Sequence, residues 1–132
     1  MVPVYHFAGA LNSSTKGIGT AIQCTNLNET DSIFIEVQLY DFNATLVDTA
    51  SIEVTPLRTV TFESTQIMFY IADVGMFADN IEQGYGRILA ENGNIVCTVQ
   101  ILDAINNPPT WFLNIPIYTK SGCGSYVPLI LK

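Results

Sequence analysis

The chain is 132 residues long, which suits one domain better than two. Charged residues make up 13% and hydrophobic residues 48%. That charged share is about half the usual one for a soluble domain, so part of the surface is expected to be covered by a partner or by copies of itself. The formal net charge is −7, and Lys16, Arg58, Arg87, Lys120 and Lys132 are scattered; this argues against nucleic acid, whose binding draws on clustered cations.

Taken in chain order, residues 2–10 read as a first strand, followed by a polar loop at 12–17. A second strand covers 19–26, with Ile18, Ile22 and Cys24 on one face. The clearest strand is the third, where Ile33, Ile35, Val37 and Leu39 alternate with Phe34, Glu36, Gln38 and Tyr40. Asp41-Phe42-Asn43-Ala44 turns the chain into a strand at 46–57, with Ala50, Ile52 and Val54 inward and Pro56 at its end or at an edge. Residues 58–63 form a short strand with Val60 and Phe62 together.

Residues 64–83 fit neither period and are expected to be an irregular crossover with a short helical turn or buried loop, its aromatics plugging one end of the fold. Strands at 85–91 and 95–104 flank Asn92-Gly93, a hairpin signal, since both central positions of a type I′ turn need positive φ. Residues 110–119 read as one strand with Trp111, Leu113, Ile115 and Ile117 aligned toward the core. Pro116 has no amide hydrogen and places that strand at an edge or a bulge. The end, 121–132, reads as a Gly/Ser linker and an apolar tail outside a single β-sandwich domain at 1–120. Seven or eight strands at this spacing, without intervening amphipathic helices, predict an all-β antiparallel sandwich.

No apolar run reaches the roughly 18–20 residues needed to cross a bilayer. The opening Met1-Val2-Pro3-Val4-Tyr5-His6 lacks the basic and apolar regions of a signal peptide.

Three segments carry a resemblance. Gly17-Ile18-Gly19-Thr20-Ala21-Ile22-Gln23-Cys24-Thr25-Asn26, then Val37-Gln38-Leu39-Tyr40-Asp41, then Gly84-Tyr85-Gly86-Arg87-Ile88-Leu89-Ala90 follow in an order that resembles immunoglobulin-like modules of bacterial extracellular proteins, often of unassigned function. The resemblance spans about residues 17–119. Two positions depart from it: Asn43-Ala44 stands where the hairpin glycine would be, and Leu27-Asn28 replaces the usual proline after the asparagine. It implies an immunoglobulin-like sandwich with a surface or secreted accessory role and no catalytic residue.

Cys24 and Cys97 fall on inward faces of an early and a late strand, much as the inter-sheet disulfide of immunoglobulin domains does. They are either such a bridge, contributing about 4 kcal/mol in the chain-entropy treatment, or two small buried hydrophobes. Cys123 reads as an exposed thiol or an intermolecular tether. His6, the single histidine, lies in the first strand and reads as a strand histidine rather than a general base. Asp41-Phe42-Asn43-Ala44-Thr45 lacks the glycine and distal glutamate of a calcium loop and reads as a turn with Asx hydrogen bonds. Asp73, Asp79, Glu82 and Glu91 are loop acids, a glycosidase pair only if two of them converge.

Among the aromatics Tyr40 and Tyr118 face away from neighbouring aliphatics and are the expected ligand contacts, while Trp111 is expected in the core. Asn-x-Ser/Thr triplets start at Asn12, Asn28 and Asn43, all in expected loops. No catalytic, cofactor-binding or metal-ligating residue is expected.

The function expected is a noncatalytic structural, adhesive or assembly module of a secreted or cell-surface protein. Its partners are copies of itself or other proteins, engaged by edge-strand or terminal-segment pairing through Val4, Tyr126, Val127, Leu129 and Ile130. The alternative is a carbohydrate- or protein-binding accessory domain using exposed tyrosines.

Overall fold

A computed structural model describes residues 1–120 and the strand at 126–129. Among these residues every regular element is a strand, and no helix is long and apolar enough to cross a membrane. The strands are β1 (Val2–Asn12), β2 (Ile18–Asn26), β3 (Ile33–Tyr40), β4 (Leu46–Val54), β5 (Thr59–Glu63), β6 (Val74–Gly75), β7 (Ile81–Ala90), β8 (Ile95–Asp103), β9 (Phe112–Ile115), β10 (Ile117–Lys120) and β11 (Tyr126–Leu129). They form a sandwich of a larger sheet, ordered β11-β10-β1-β7-β3-β4, and a smaller one, ordered β6-β5-β2-β8-β9. All pairings are antiparallel except that of β5 with β6.

The period of two does its work most plainly in β3. Ile33, Ile35, Val37 and Leu39 are buried between the sheets, and the alternate residues Glu36, Gln38 and Tyr40 lie half-buried on the outer face. From the other sheet Ile22, Cys24, Val60, Phe62, Cys97 and Val99 close the core. Each such aliphatic contributes about 1.5–3 kcal/mol by leaving water. A buried polar network ties the layers at one end. The Thr20 amide donates to Ser64 Oγ at 2.8 Å, Ser64 Oγ donates to Asn12 Oδ1 at 2.7 Å, and Asn12 Nδ2 donates to the Ala78 and Asp79 carbonyls at 2.8 and 3.1 Å. Asn12 is therefore a buried strand-end residue, not a loop position open to glycosylation.

Several sequence expectations are corrected. Asn92-Gly93 is not a hairpin: β7 pairs with β1 and β3, β8 pairs with β2 and β9, and the turn carries the chain from one sheet to the other. Positive φ occurs elsewhere, at Ala44 and Leu57 for example, and not at residues 92–93. Both edges of each strand are already filled, and their apolar faces meet across the sandwich rather than side by side.

The expected strand at 110–119 breaks at Pro116, with β9 in the smaller sheet and β10 in the larger. Proline, which cannot donate to a ladder, sits where the ladder changes sheet. Only Ile117 of the expected inward set is fully buried; Trp111 is 40% exposed and Leu113 60%, because β9 is an edge strand beyond the core. The segment 64–83 divides: Met76 joins the main core with Val74 and Ala78 packed against it, whereas Ile67 and Tyr70 pack with Ala21, Leu102 and Ala104 in a second small cluster on the outer face of the smaller sheet. Its aromatics do not plug the end, since Phe69 and Phe77 are exposed.

The ends of the chain also differ from expectation. β1 lies inside the larger sheet between β10 and β7, so the segment holding Val4 is already paired on both sides. Tyr126, Val127 and Leu129 belong to β11, which pairs with β10 of the same chain instead of forming an apolar tail. The linker at 121–125 with Cys123, and Ile130, lie outside the described residues.

Candidate functional site

The outer face of the larger sheet gathers the polar and aromatic side chains that alternation turns away from the core. Registry aligns them in rows. Tyr118 of β10 sits opposite His6 of β1, His6 opposite Arg87 of β7, and Arg87 opposite Gln38 of β3. In the next row Ala8, Tyr85 and Tyr40 are partners. Tyr40 and Tyr118, the expected ligand contacts, therefore share one face, and the structure adds Tyr85, Arg87, Gln38 and His6 between them.

The run Gly84-Tyr85-Gly86-Arg87 explains how β7 supports this face. Its inward positions carry no side chain. A Cβ at Gly86 would overlap the Phe7 ring, and one at Gly84 would overlap the Tyr40 carbonyl oxygen. The glycines thus let the core and the neighbouring strand approach closely, while Tyr85 and Arg87 project outward.

Tyr40 and Tyr85 are stacked, with ring centroids 4.6 Å apart and planes 6° from parallel. The Arg87 guanidinium carbon lies 5.7 Å from the Tyr40 centroid, within cation–π range. Gln38 Oε1 accepts from Arg87 Nε at 3.0 Å, Arg87 Nη2 at 2.6 Å and the Tyr40 hydroxyl at 2.8 Å. Gln38 Nε2 donates to Glu36 Oε2 at 2.7 Å. The side chains hold one another in place before any ligand arrives, which limits the entropy lost on binding.

Beside the stack, His6, Phe7, Ala8, Tyr85 and Tyr118 line a shallow apolar hollow of about 360 Å³. It exists because β10 begins at Ile117: the register that sets His6 against Tyr118 would set residue 116 against Ala8, and the chain has left the sheet there. Ala8 thus floors a gap between two tyrosines.

The other singled-out residues are accounted for individually. Cys24 and Cys97 form a disulfide, but they are register partners on neighbouring strands with Cα atoms 4.1 Å apart. The bridge staples one sheet and does not cross between sheets as the immunoglobulin resemblance implied. Asp41 Oδ1 accepts from the Asn43 and Thr45 amides, making the turn at 41–45 an Asx turn. Asp73 pairs with Arg58 at 3.1 Å and accepts from the Thr61 amide of β5, while Glu91 accepts from the Phe34 amide of β3; these two acids flank strands and are bound to different sheets. Among the described residues no group of three or more His, Cys, Asp or Glu side chains is placed to hold a metal ion.

Two carboxylates that sequence reasoning passed over prove distinctive. Glu63 ends β5 and is buried under the segment 64–72, and burial pushes its carboxyl above the ordinary value although the Ile67 amide donates to it. Asp103 ends β8, and the donors around it, led by Asn106 and Thr110, hold its carboxyl well below the usual carboxylate range.

No protein-family model matches the chain, and no curated protein matches it. Among solved structures, the fold is similar to that of Thermotoga maritima 1070, with a TM-score of 0.54 at 11% identity over 84% of this chain and 90% of that one. PfGH50B gives 0.49 at 12% identity over 78% of this chain and 19% of its own length. FlgD from Xanthomonas campestris, a protein of flagellar hook capping, gives 0.34 at 13% identity over 92% of this chain and 77% of that one. The likeness to Thermotoga maritima 1070 is one of fold.

Proposed function

We propose that the chain is a noncatalytic binding module of an exported or cell-surface protein, immunoglobulin-like in its setting, that takes carbohydrate on the tyrosine-bearing face of the larger sheet. The observation that carries this reading is the placement of Tyr40, Tyr85 and Tyr118 on one sheet face, with Tyr85 and Tyr118 lining an apolar hollow and Tyr40, Arg87 and Gln38 beside it. A sugar ring offers an apolar face for stacking and a rim of hydroxyls, and aromatic rings beside fixed planar donors and acceptors match both. The Cys24–Cys97 bridge supports the exported setting, since such bridges persist in oxidising compartments.

Affinity electrophoresis against soluble cell-wall and storage polysaccharides tests the reading. At least one polysaccharide should retard the protein, and Tyr85→Ala should abolish the retardation while leaving the fold intact by circular dichroism. Unretarded migration on all of them, or retardation unaffected by Tyr85→Ala and Tyr118→Ala, overturns it.

A second reading, self-association by edge-strand pairing, draws on β9. Trp111, Phe112 and Leu113 are 40%, 56% and 60% exposed at the edge of the smaller sheet, and exposed apolar clusters favour association. Sedimentation equilibrium should then show a dimer or larger species that Phe112→Glu dissociates; a monomer at all concentrations removes it.

A further inference from the structure

The cavity under the segment 64–77 lies on the opposite sheet from the tyrosine face and has a different chemistry. It is a half-open cleft of about 500 Å³, within the range of small-molecule sites, and is lined by Glu63, Ile67, Met68, Tyr70 and Phe77 among others. Among the described residues, Glu63 is the one acidic or basic side chain in that lining. Its backbone is fixed by β5, the residue is 2% exposed, and one carboxylate oxygen accepts from the Ile67 amide at 2.9 Å. Two aromatic rings stand at the wall. Tyr70 is anchored through its hydroxyl, which donates to Gln100 Oε1. Phe77 sits at a positive φ of 52°, and a Cβ on Gly75 would press against its ring at 3.1 Å, so the bare backbone of Gly75 gives that ring its place.

We propose that this cavity is a binding site for an alkylammonium group, the ammonium meeting the Glu63 carboxylate and the faces of Tyr70 and Phe77. A buried carboxylate with a single amide donor is poorly compensated when ionised, and a cation of low hydration supplies what the fold withholds. Aromatic rings, a thioether and one carboxylate form the kind of box that recognises alkylated ammonium ions, whose charge is spread over apolar surface. The net charge of −7 favours approach of a cation over that of an anion. This site stands apart from the tyrosine face, so its failure leaves the carbohydrate reading untouched.

Isothermal titration calorimetry of the full chain with choline chloride, and with its neutral carbon isostere dimethylbutanol, tests the proposal at neutral pH. Choline should bind saturably at millimolar or lower concentration and the isostere about tenfold more weakly. Glu63→Gln should erase the preference for choline. Phe77 is 76% exposed, so Phe77→Ala keeps the test open if Glu63→Gln fails to fold, and it should weaken choline by about tenfold. Equal affinity for the two probes, an absence of choline binding, or choline binding unchanged in either folded variant overturns the proposal.

Discussion

Glu63 and Asp103 both end strands of the smaller sheet and both are buried, at 2% and 6% exposure, yet their carboxyl groups are displaced in opposite directions. The difference lies in the donors. Asp103 Oδ1 accepts from the Ile105 and Asn106 amides, and Oδ2 accepts from Asn106 Nδ2, Thr110 Oγ1 and the Thr110 amide. The Glu63 carboxylate, by contrast, accepts from the Ile67 amide. Burial disfavours a charge, and enough donors reverse that preference. Asp103 is thus consumed by its own loop, whereas Glu63 keeps acceptor capacity toward a cavity.

The comparison can be broken or sharpened experimentally. The largest effect should come from the staple that holds the sheet bearing both acids: replacing Cys24 and Cys97 with alanine should cost about 4 kcal/mol in chemical denaturation, with the two carboxylates otherwise unchanged. Next in size, Asp103→Ala should destabilise the chain by orphaning the donors around it. Hydrogen exchange should then accelerate first at Ile105, Asn106 and Thr110; uniform acceleration would mean that the loop is held by something else.

The pH profile of stability separates the two acids by sign. A lowered folded value for Asp103 means that the unfolded chain binds the proton more readily. Its contribution is complete above the ordinary value of 3.8 and is lost as pH falls below it. A raised folded value for Glu63 means the reverse: its contribution is complete below 4.5 and is lost as pH rises through the folded value. Asp103→Asn should flatten the acid limb of a urea-midpoint profile, and Glu63→Gln should flatten the decline above 4.5. At neutral pH Glu63→Gln should change stability by no more than about 1 kcal/mol, in the stabilising direction, because it removes a buried charge and keeps an acceptor. The smallest effect serves as a control. Ala44 adopts φ 68°, so Ala44→Gly should stabilise by about 0.5 kcal/mol, the relief of strain less the added freedom of the unfolded chain; it should move neither limb of the profile.

Faces were legible in the sequence and partners were not. The alternation of Ile33, Ile35, Val37 and Leu39 gave both the core and the outward setting of Tyr40, because a period of two reports which side of a sheet a residue occupies. It carries no information about which strand lies alongside. Asn92-Gly93 looked like a hairpin for that reason, and the rows that join Tyr118, His6, Arg87 and Gln38 depend on pairings between strands remote in sequence. The burial of Glu63 was hidden in the same way. A residue next to Phe62 in a strand should face outward, and it does, but the irregular segment 64–72 folds back over that outer face. The one signal available was the apolar content of the segment, which needed a surface to cover.

Gly86 joins the two sides of the larger sheet more tightly than its size suggests. With the Phe7 ring seated directly beneath it, no substituent can be introduced there without unseating an interior aromatic. The spacing of Tyr85 from Tyr118 is therefore governed from below, by how the interior is filled. A change of recognition on this face has to pass through the hydrophobic packing under it, so the surface and the interior can only vary together.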